Sequence, residues 1–450
     1  MNSGGTIAAI STPLGVGGIG IVRLSGPQAL EILQKIFRRR EGEGPLRSRR
    51  FYLGEILRPQ GPAAGVIDEV LVVFMQKPKT YTREDMVEIQ AHGGVLVLRE
   101  ILEAVLFCGA RLAEPGEFTR RAFLNGRIDL TQAEAVIDLI QSQTRRSLEL
   151  ANLQRRGLLG REVKGVREEL ADLLALMEAG IDFPEEEIPG LSEDEVRGRL
   201  QPTRERLDAL LRTYDRGKIY RQGIAAVIIG RPNVGKSSLL NALLREDRAI
   251  VTPIPGTTRD VIEEVVNIRG IPLRIMDTAG LRHARDEVEV EGVRRTRDRL
   301  SQADLVIWVV DGSEPLKAED LGILEEVRGK KSVVAINKSD LPRRLNPEDL
   351  AGRLPGVPLL SVSALTNFGI DRLEEVIRGT ILDGEEDSSC ELLLSNLRHK
   401  QALEKAREAV DRALEASAAG LSPEFIALDL REALKALGEI VGETTPEDIL

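Results

Sequence analysis

The chain has 450 residues, enough for two to four domains that each bury a core. Hydrophobic residues make up 42% and charged residues 30%, which excludes wholesale disorder, and 3% aromatics leaves the packing to Leu, Ile, Val and Ala. Lys plus Arg number 62 against 72 Asp plus Glu, a net charge of −10 that excludes a general polyanion-binding coat. A polyanion would have to meet a local basic face such as Arg38, Arg39, Arg40, Arg47, Arg49 and Arg50, for which a solvated hairpin or helix end is the competing reading. Two cysteines, Cys108 and Cys390, and three histidines, His92, His283 and His399, are too few for a zinc ligand set or a disulfide framework. No apolar stretch approaches the roughly 18 to 20 residues of a membrane span, and residues 1–9 lack a signal-peptide pattern, so a cytoplasmic protein is expected.

Short apolar runs at 19–24, 70–74 and 86–91 predict strands, and 95–107 predicts a buried helix, together an N-terminal α+β domain. His92, in Ala-His-Gly-Gly94, reads as a turn residue, and Cys108, ending an apolar run, as core. Thr131 and Glu134 have the spacing of a capping box and open a helical stretch reaching about Gly217. Within it Val163, Val166, Leu170, Leu173 and Met177 recur every three or four residues, one stripe of a bundle helix. From 218 to 380 apolar strands at 225–229, 271–276, 305–310, 333–336 and 358–362 alternate with helices, predicting a doubly wound, mostly parallel sheet. An acidic stretch at 383–389 leads back into helix, where Leu403, Ala406, Val410 and Leu414 share a face. The α/β unit is thus expected as an insertion in a helical domain, dividing the chain into 1–118, 119–217, 218–380 and 381–450.

Residues 230–237 read GRPNVGKS, matching GxxxxGK[ST] between a strand and a helix, the phosphate-binding loop. Asn233, Val234, Gly235, Lys236, Ser237 and Ser238 are its candidate contacts, with Lys236 toward the β and γ phosphates and the Ser237 hydroxyl toward Mg²⁺. Thr257 and Thr258 sit in a following loop, where Thr258 could complete the Mg²⁺ shell, and Asp277 to Gly280 places a carboxylate near the metal and an amide near the γ-phosphate. Asn337, Lys338 and Asp340 follow another strand, and the Asp340 carboxylate can accept both donors of a guanine edge, a pair that adenine lacks. Ser363 and Ala364 end the next strand, with a backbone amide for the guanine carbonyl. Five such elements in order predict a GTP-binding domain. Leu281 stands where Ras-like GTPases carry the water-orienting glutamine, and an apolar side chain cannot do that work. Asp286, Glu287, Glu289 and Glu291 are all available instead.

The segments flanking these elements narrow the choice: Thr12-Pro13 with 15–23, Glu114-Pro-Gly-Glu-Phe-Thr119, Arg121-Ala-Phe-Leu-Asn125, Gly256-Thr-Thr-Arg-Asp260, Asp277-Thr-Ala-Gly-Leu-Arg282 and Asn396-Leu-Arg-His399. Together they resemble the tRNA modification GTPase family called MnmE or TrmE, from about Thr6 to Leu450. The resemblance implies a folate-binding N-terminal domain that dimerises, a central helical bundle and an inserted Ras-like P-loop GTPase domain. It implies a homodimer working with the flavoprotein MnmG or GidA, as a heterotetramer or larger, to add aminomethyl or carboxymethylaminomethyl groups at C5 of the wobble uridine of certain tRNAs. By position it assigns K⁺ to Asn233, Thr252, Ile254 and Thr257, and Mg²⁺ to Ser237 and Thr258. Glu289 becomes the water-orienting carboxylate, with Arg282 beside the same switch, and Arg23, Glu88 and Arg127 would hold a 5-formyl or 5,10-methylene tetrahydrofolate. Arg127 replaces a lysine of some members. Family members continue beyond a segment like 444–450 into a Cys-containing tail, so a chain ending at Leu450 is expected to keep GTP hydrolysis and be weak in tRNA modification. The competing reading is a GTPase assembly factor acting as a switch on ribosomal RNA, which would want a basic module beside the GTPase domain, whereas the segment after Thr380 starts acidic.

Overall fold

The computed structural model describes residues 4–42, 44–59, 65–182, 191–245, 264–276, 300–384 and 392–443. Two compact units divide the described chain between Val136 and Ile137. In the first, β1 (Ile7–Ile10), β2 (Gly17–Ser25), β3 (Phe37–Arg39), β4 (Phe51–Leu57), β5 (Val66–Met75), β6 (Met86–Gly93) and β7 (Arg111–Leu112) make one sheet in the order β3-β4-β5-β6-β2-β1-β7. Only the β1–β7 pair is parallel. Side chains alternate across a strand, so Val22, Leu24, Val70, Val72, Val87 and Ile89 share one face. There they bury against Ile32, Leu33 and Ile36 of α1 (Ala29–Ile36) and Leu98, Ile101 and Val105 of α2 (Val95–Phe107). The opposite face leaves Phe51, Leu53 and Leu71 exposed.

Two helices follow, α3 (Glu117–Leu124) and α4 (Leu130–Gln141). The expected capping box at Thr131 and Glu134 is two residues late. The reciprocal pair is Asp129 and Gln132, each backbone amide donating to the other's side chain at 3.0 and 2.9 Å, while the Thr131 hydroxyl donates to Asp129. The helix starts at Leu130, so the residue before it supplies the acceptor for the unsatisfied amides. His92 is likewise a strand residue of β6 rather than a turn residue, its Nδ1 2.8 Å from Asp68.

The division between the units falls within α4, and the second unit continues with α5 (Arg145–Arg155), α6 (Leu158–Asp182), α7 (Glu193–Arg212) and α8 (Tyr214–Gln222). A six-stranded sheet follows, from β8 (Ile224–Ile229), β9 (Glu264–Ile268), β10 (Ile271–Ile275), β11 (Leu305–Asp311), β12 (Ser332–Asn337) and β13 (Leu359–Ser361). Its order is β13-β12-β11-β8-β10-β9, parallel except for β9. Helices α9 (Lys236–Arg245), α10 (Ala318–Val327), α11 (Pro347–Ala351) and α12 (Ile370–Ile381) accompany it, and every residue of β11 and β12 is buried. The edge strand β9 escaped the sequence reading because its half-buried residues break the apolar run that marks its neighbours.

The chain then returns to helix with α13 (Leu397–Ala418) and α14 (Pro423–Val441). The stripes from both halves meet in one core: Val163, Val166, Leu170, Leu173 and Met177 of α6 with Leu403, Ala406 and Val410 of α13 and Leu430 and Leu437 of α14. Within Asn396-Leu-Arg-His399, the Asn396 side chain caps α13 by accepting from the Arg398 amide at 2.9 Å, and the Arg398 guanidinium donates to the last carbonyls of α14, Glu439 and Ile440. The sheet domain leaves and re-enters the bundle at one place. The Leu394 amide donates to Thr213 Oγ1 at 2.9 Å, and Gln154 Nε2 donates to Ser395 Oγ at 3.0 Å. At Gly217 the two segments touch, and a Cβ there would lie 2.1 Å from the Leu394 carbonyl oxygen.

Because Leu394 is buried and its amide already bonded, Gly217→Ala should destabilise this unit by about 1–3 kcal/mol. Gly180→Ala, in α6 with nothing within 4 Å of its Cβ, should instead be neutral or stabilising. Urea unfolding followed by circular dichroism compares them, and equal midpoints would contradict the contact.

Candidate functional site

The phosphate-loop segment joins the buried end of β8 to the first turn of α9. Asn233 is left-handed, with φ 65°. Gly235, at φ 96°, accepts no side chain: its Cβ would lie 2.3 Å from Asn337 Nδ2. That contact exists because Asn337, the last residue of β12, donates from Nδ2 to the Val234 carbonyl at 2.9 Å. Its Oδ1 accepts the Ala364 amide at 3.0 Å, so one buried amide holds together three loops from distant parts of the chain. Lys236 Nζ donates to the Gly230 and Arg231 carbonyls, both at 2.8 Å, and burial pushes its pKa down from the usual lysine value.

The adjoining loop carries the base-recognition candidates. Lys338, at φ 63°, extends Nζ to 2.6 Å from Asp311 Oδ2. Burial alone would raise the Asp311 pKa, but bonds from Lys338 and Ser313 outweigh it and lower it. Asp340 Oδ1 accepts the Ser363 hydroxyl at 2.6 Å, and the Ser339 amide bonds the Val362 carbonyl at 3.1 Å. Residues 230–236, 337–340 and 363–364 thus gather outside the carboxyl ends of parallel strands, where this sheet architecture binds ligands. Arg231 is the residue that motif reading missed. Sitting at an unconstrained position of the pattern, it is buried and ion-paired with Asp320 (2.8 Å) and Glu314 (3.3 Å), tying the loop to α10 and the turn before it. Thr252, Ile254, Thr257, Thr258, Asp277, Gly280, Leu281, Arg282, Asp286, Glu287, Glu289, Glu291 and Cys390 lie outside the described residues.

In the first unit, Arg23 and Glu88 face each other across β2 and β6 and form an ion pair at 2.8 Å, with the Arg23 guanidinium 5.8 Å from the Phe118 ring. Arg127 contacts different groups: it donates to the Tyr81 carbonyl at 2.9 Å and lies 4.6 Å from the Tyr81 ring. The Tyr81 hydroxyl meets Thr119 Oγ1 at 2.9 Å, so α3 contacts both places. Behind them runs a buried network. Arg121 donates to both oxygens of Glu84, to Glu117 and to the Gly5 carbonyl, and Ser25 bonds Thr82 and Glu84. Asn125 Nδ2 donates to the Thr82 carbonyl at 2.6 Å. The Glu-Pro-Gly-Glu-Phe-Thr and Arg-Ala-Phe-Leu-Asn segments therefore owe much of their character to ion pairing that fixes α3 and the Tyr81–Glu84 turn.

Glu117 is the centre of that network. Burial would raise its pKa, but the Arg111 guanidinium, the Glu114 amide and Arg121 outweigh it and hold it at about 2, against 4.5 for a free carboxyl. A depressed folded pKa means stability present above pH 4.5 and lost as pH falls toward 2, on the order of 3 kcal/mol in full. Glu117→Gln should therefore lower the unfolding midpoint at pH 7, with the gap to the unmodified protein closing below pH 4.5. A gap independent of pH would assign the effect to packing instead.

The family model described as GTP-binding protein TrmE N-terminus matches residues 6–127, and that described as MnmE helical domain matches residues 130–450. The tRNA modification GTPase MnmE of Geobacter metallireducens is 51% identical over 446 residues, covering 99% of this chain and 96% of that protein. The protein of the same name from Syntrophus aciditrophicus is also 51% identical, covering 99% and 97%. Among solved structures, the FeoB G-domain from Methanococcus jannaschii is 26% identical, covering 36% of this chain and 98% of that one, with a TM-score of 0.27. With half of its residues identical to such relatives along almost its entire length, the chain belongs to the tRNA modification GTPase MnmE family.

Proposed function

We propose that this chain hydrolyses GTP in support of tRNA modification, working with a flavoprotein of the MnmG or GidA kind to add an aminomethyl or carboxymethylaminomethyl group at C5 of wobble uridine. The observation that carries the GTP reading is the Asn337 clamp, which sets the phosphate loop beside the Asp340–Ser363 pair. In that arrangement Asp340 accepts from the guanine N1–H and 2-amino group, the Ala364 segment meets the guanine carbonyl, and Lys236 turns from its own loop carbonyls to the phosphates. Mg²⁺ would be held by Ser237 and Thr258, and K⁺ by Asn233 with Thr252, Ile254 and Thr257; such cations supply charge neutralisation between the phosphates. The left-handed Asn233 fits that role, since the conformation turns the loop sharply at the residue that would reach the ion. Glu289 orients the attacking water, with Arg282 from the same switch. Arg23, Glu88 and Arg127 would hold the reduced folate, for which a carboxylate accepting from a pterin ring and two guanidiniums are suitable donors and acceptors. The exposed Phe51, Leu53 and Leu71 offer an apolar sheet face to a second copy.

Asp340→Asn should move nucleotide preference from GTP to xanthosine triphosphate, because an amide donor suits the 2-oxo group that replaces the 2-amino group. The same hydrolysis assay should run faster in K⁺ than in Na⁺ for the unmodified protein, and Asn233→Ala should abolish that difference; equal rates in both salts would remove the ion from the scheme. The tRNA reading is tested by mass spectrometry of tRNA nucleosides. A strain lacking the gene should lose a C5-substituted uridine, and an unchanged nucleoside profile would reject the role.

A further inference from the structure

The basic run that stood out against a net charge of −10 folds from the edge strand β3 of the seven-stranded sheet to the start of β4. A period of two splits its first arginines between two directions. Arg38 pairs with Glu55 and Arg40 with Glu69, so those charges are neutralised in place. Arg39 turns the other way and lays its guanidinium 4.5 Å from the Tyr52 ring. Arg50 meets the same ring at 5.7 Å, and the Arg47 amide donates to the Tyr52 hydroxyl at 2.7 Å. One tyrosine therefore gathers three arginines.

Residues 48–49 are laced to the end of β5 and the loop beyond it. The Arg49 amide donates to the Phe74 carbonyl at 2.7 Å, its guanidinium donates to the Lys79 carbonyl at 2.7 Å, and the Gln76 amide donates to Ser48 Oγ at 3.0 Å. Arg49 is held at φ 64°, a left-handed conformation uncommon for any residue with a side chain. The outcome is a cluster of Arg39, Arg47, Arg49, Arg50, Lys77 and Lys79, none of which forms an ion pair with a carboxylate among the described residues. Besides Glu55 and Glu69, the described acids on these segments include Glu41, Glu84 and Asp85; Glu84 is engaged by Arg121 and Ser25, and Asp85 by the Lys77 amide at 2.9 Å.

Six like charges on the edge strand β3 and the loops before β4 and after β5 repel one another, and a partner carrying regularly spaced negative charge relieves that cost. Guanidiniums ordered on an aromatic ring are planar donors suited to phosphate oxygens, a match that is better for a nucleic-acid backbone than for flexible carboxylates. We propose that this sheet edge binds the phosphate backbone of the RNA on which the protein acts, an assignment that rests on the tRNA reading above and adds to it a surface far in sequence from the nucleotide elements.

The test uses the full-length protein and unfractionated tRNA, with retention on filters measured across a salt series. The Arg47→Gln, Arg49→Gln, Arg50→Gln triple variant should bind roughly tenfold more weakly at moderate salt, with a slope of log affinity against log salt shallower by about 2. The corresponding triple Lys variant should keep most of the affinity, and both should hydrolyse GTP at the unmodified rate. Unchanged affinity and slope in the Gln variant would overturn the assignment, as would loss of binding in the Lys variant equal to that in the Gln variant, which would make the arginines structural. Undiminished tRNA retention with loss of a co-purifying protein would give this edge to an acidic protein instead. Failure of the unmodified protein to retain tRNA also overturns it, whereas the tRNA reading itself stands or falls separately on whether a strain lacking the gene loses the modified nucleoside.

Discussion

The second unit depends on a backbone contact at the point where its chain departs and returns. Gly217 lets α8 press directly onto the Leu394 carbonyl, and Thr213 and Gln154 bind the neighbouring backbone and side chain. With exit and entry side by side, a whole sheet domain is accommodated without separating α6 and α7 from α13 and α14, whose apolar stripes complete one core only together. Neither half could bury its stripe alone. The same junction serves the sheet domain, because Leu150 of α5 and Tyr220 of α8 are buried in the core beneath β8 and β10.

Within that sheet domain, one side chain does for the site what the junction does for the unit. Asn337 is fully engaged, donating to the phosphate loop and accepting from the segment after β13. A carboxylate at this position could accept from Ala364 but could not donate to Val234, and a hydroxyl could not reach both. The two recognition tasks of a nucleotide site, phosphate and base, are thereby coupled through a buried amide rather than through loop length. Arg231 adds a second tether on the other side of the loop, at the cost of burying a guanidinium that Asp320 and Glu314 must neutralise.

The first unit solves a similar problem with charge. Its sheet provides a rigid platform, but α3 and the Tyr81–Glu84 turn are short and would be weakly held by apolar contact alone. Glu117, Arg121 and Glu84 fasten them instead, and the residues set beside that network, Arg23, Glu88, Tyr81 and Arg127, inherit its rigidity.

Much of this was legible in the residues. The phosphate loop and the Asn-Lys-Ser-Asp segment are contiguous motifs whose chemistry is local, and the parallel strands are continuous apolar runs because both of their faces are covered. The stripe on α6 was readable for the same reason, since period alone selects a face. The sequence did not distinguish the two adjacent capping pairs at the start of α4, both of which satisfy the spacing rule, and it did not reveal β9, whose half-buried residues at an edge blur its pattern. Nor could it join Asn337 to Val234, Arg121 to Glu84, or Arg39 and Arg50 to one tyrosine, because those partners meet only when strands far apart in the chain are brought into register. Local composition and spacing determined which elements form and what chemistry each carries; the tertiary structure decided which charges are neutralised, which amides clamp and which arginines stay open, since hydrogen bonds and ion pairs act over a few ångströms of space regardless of separation along the chain.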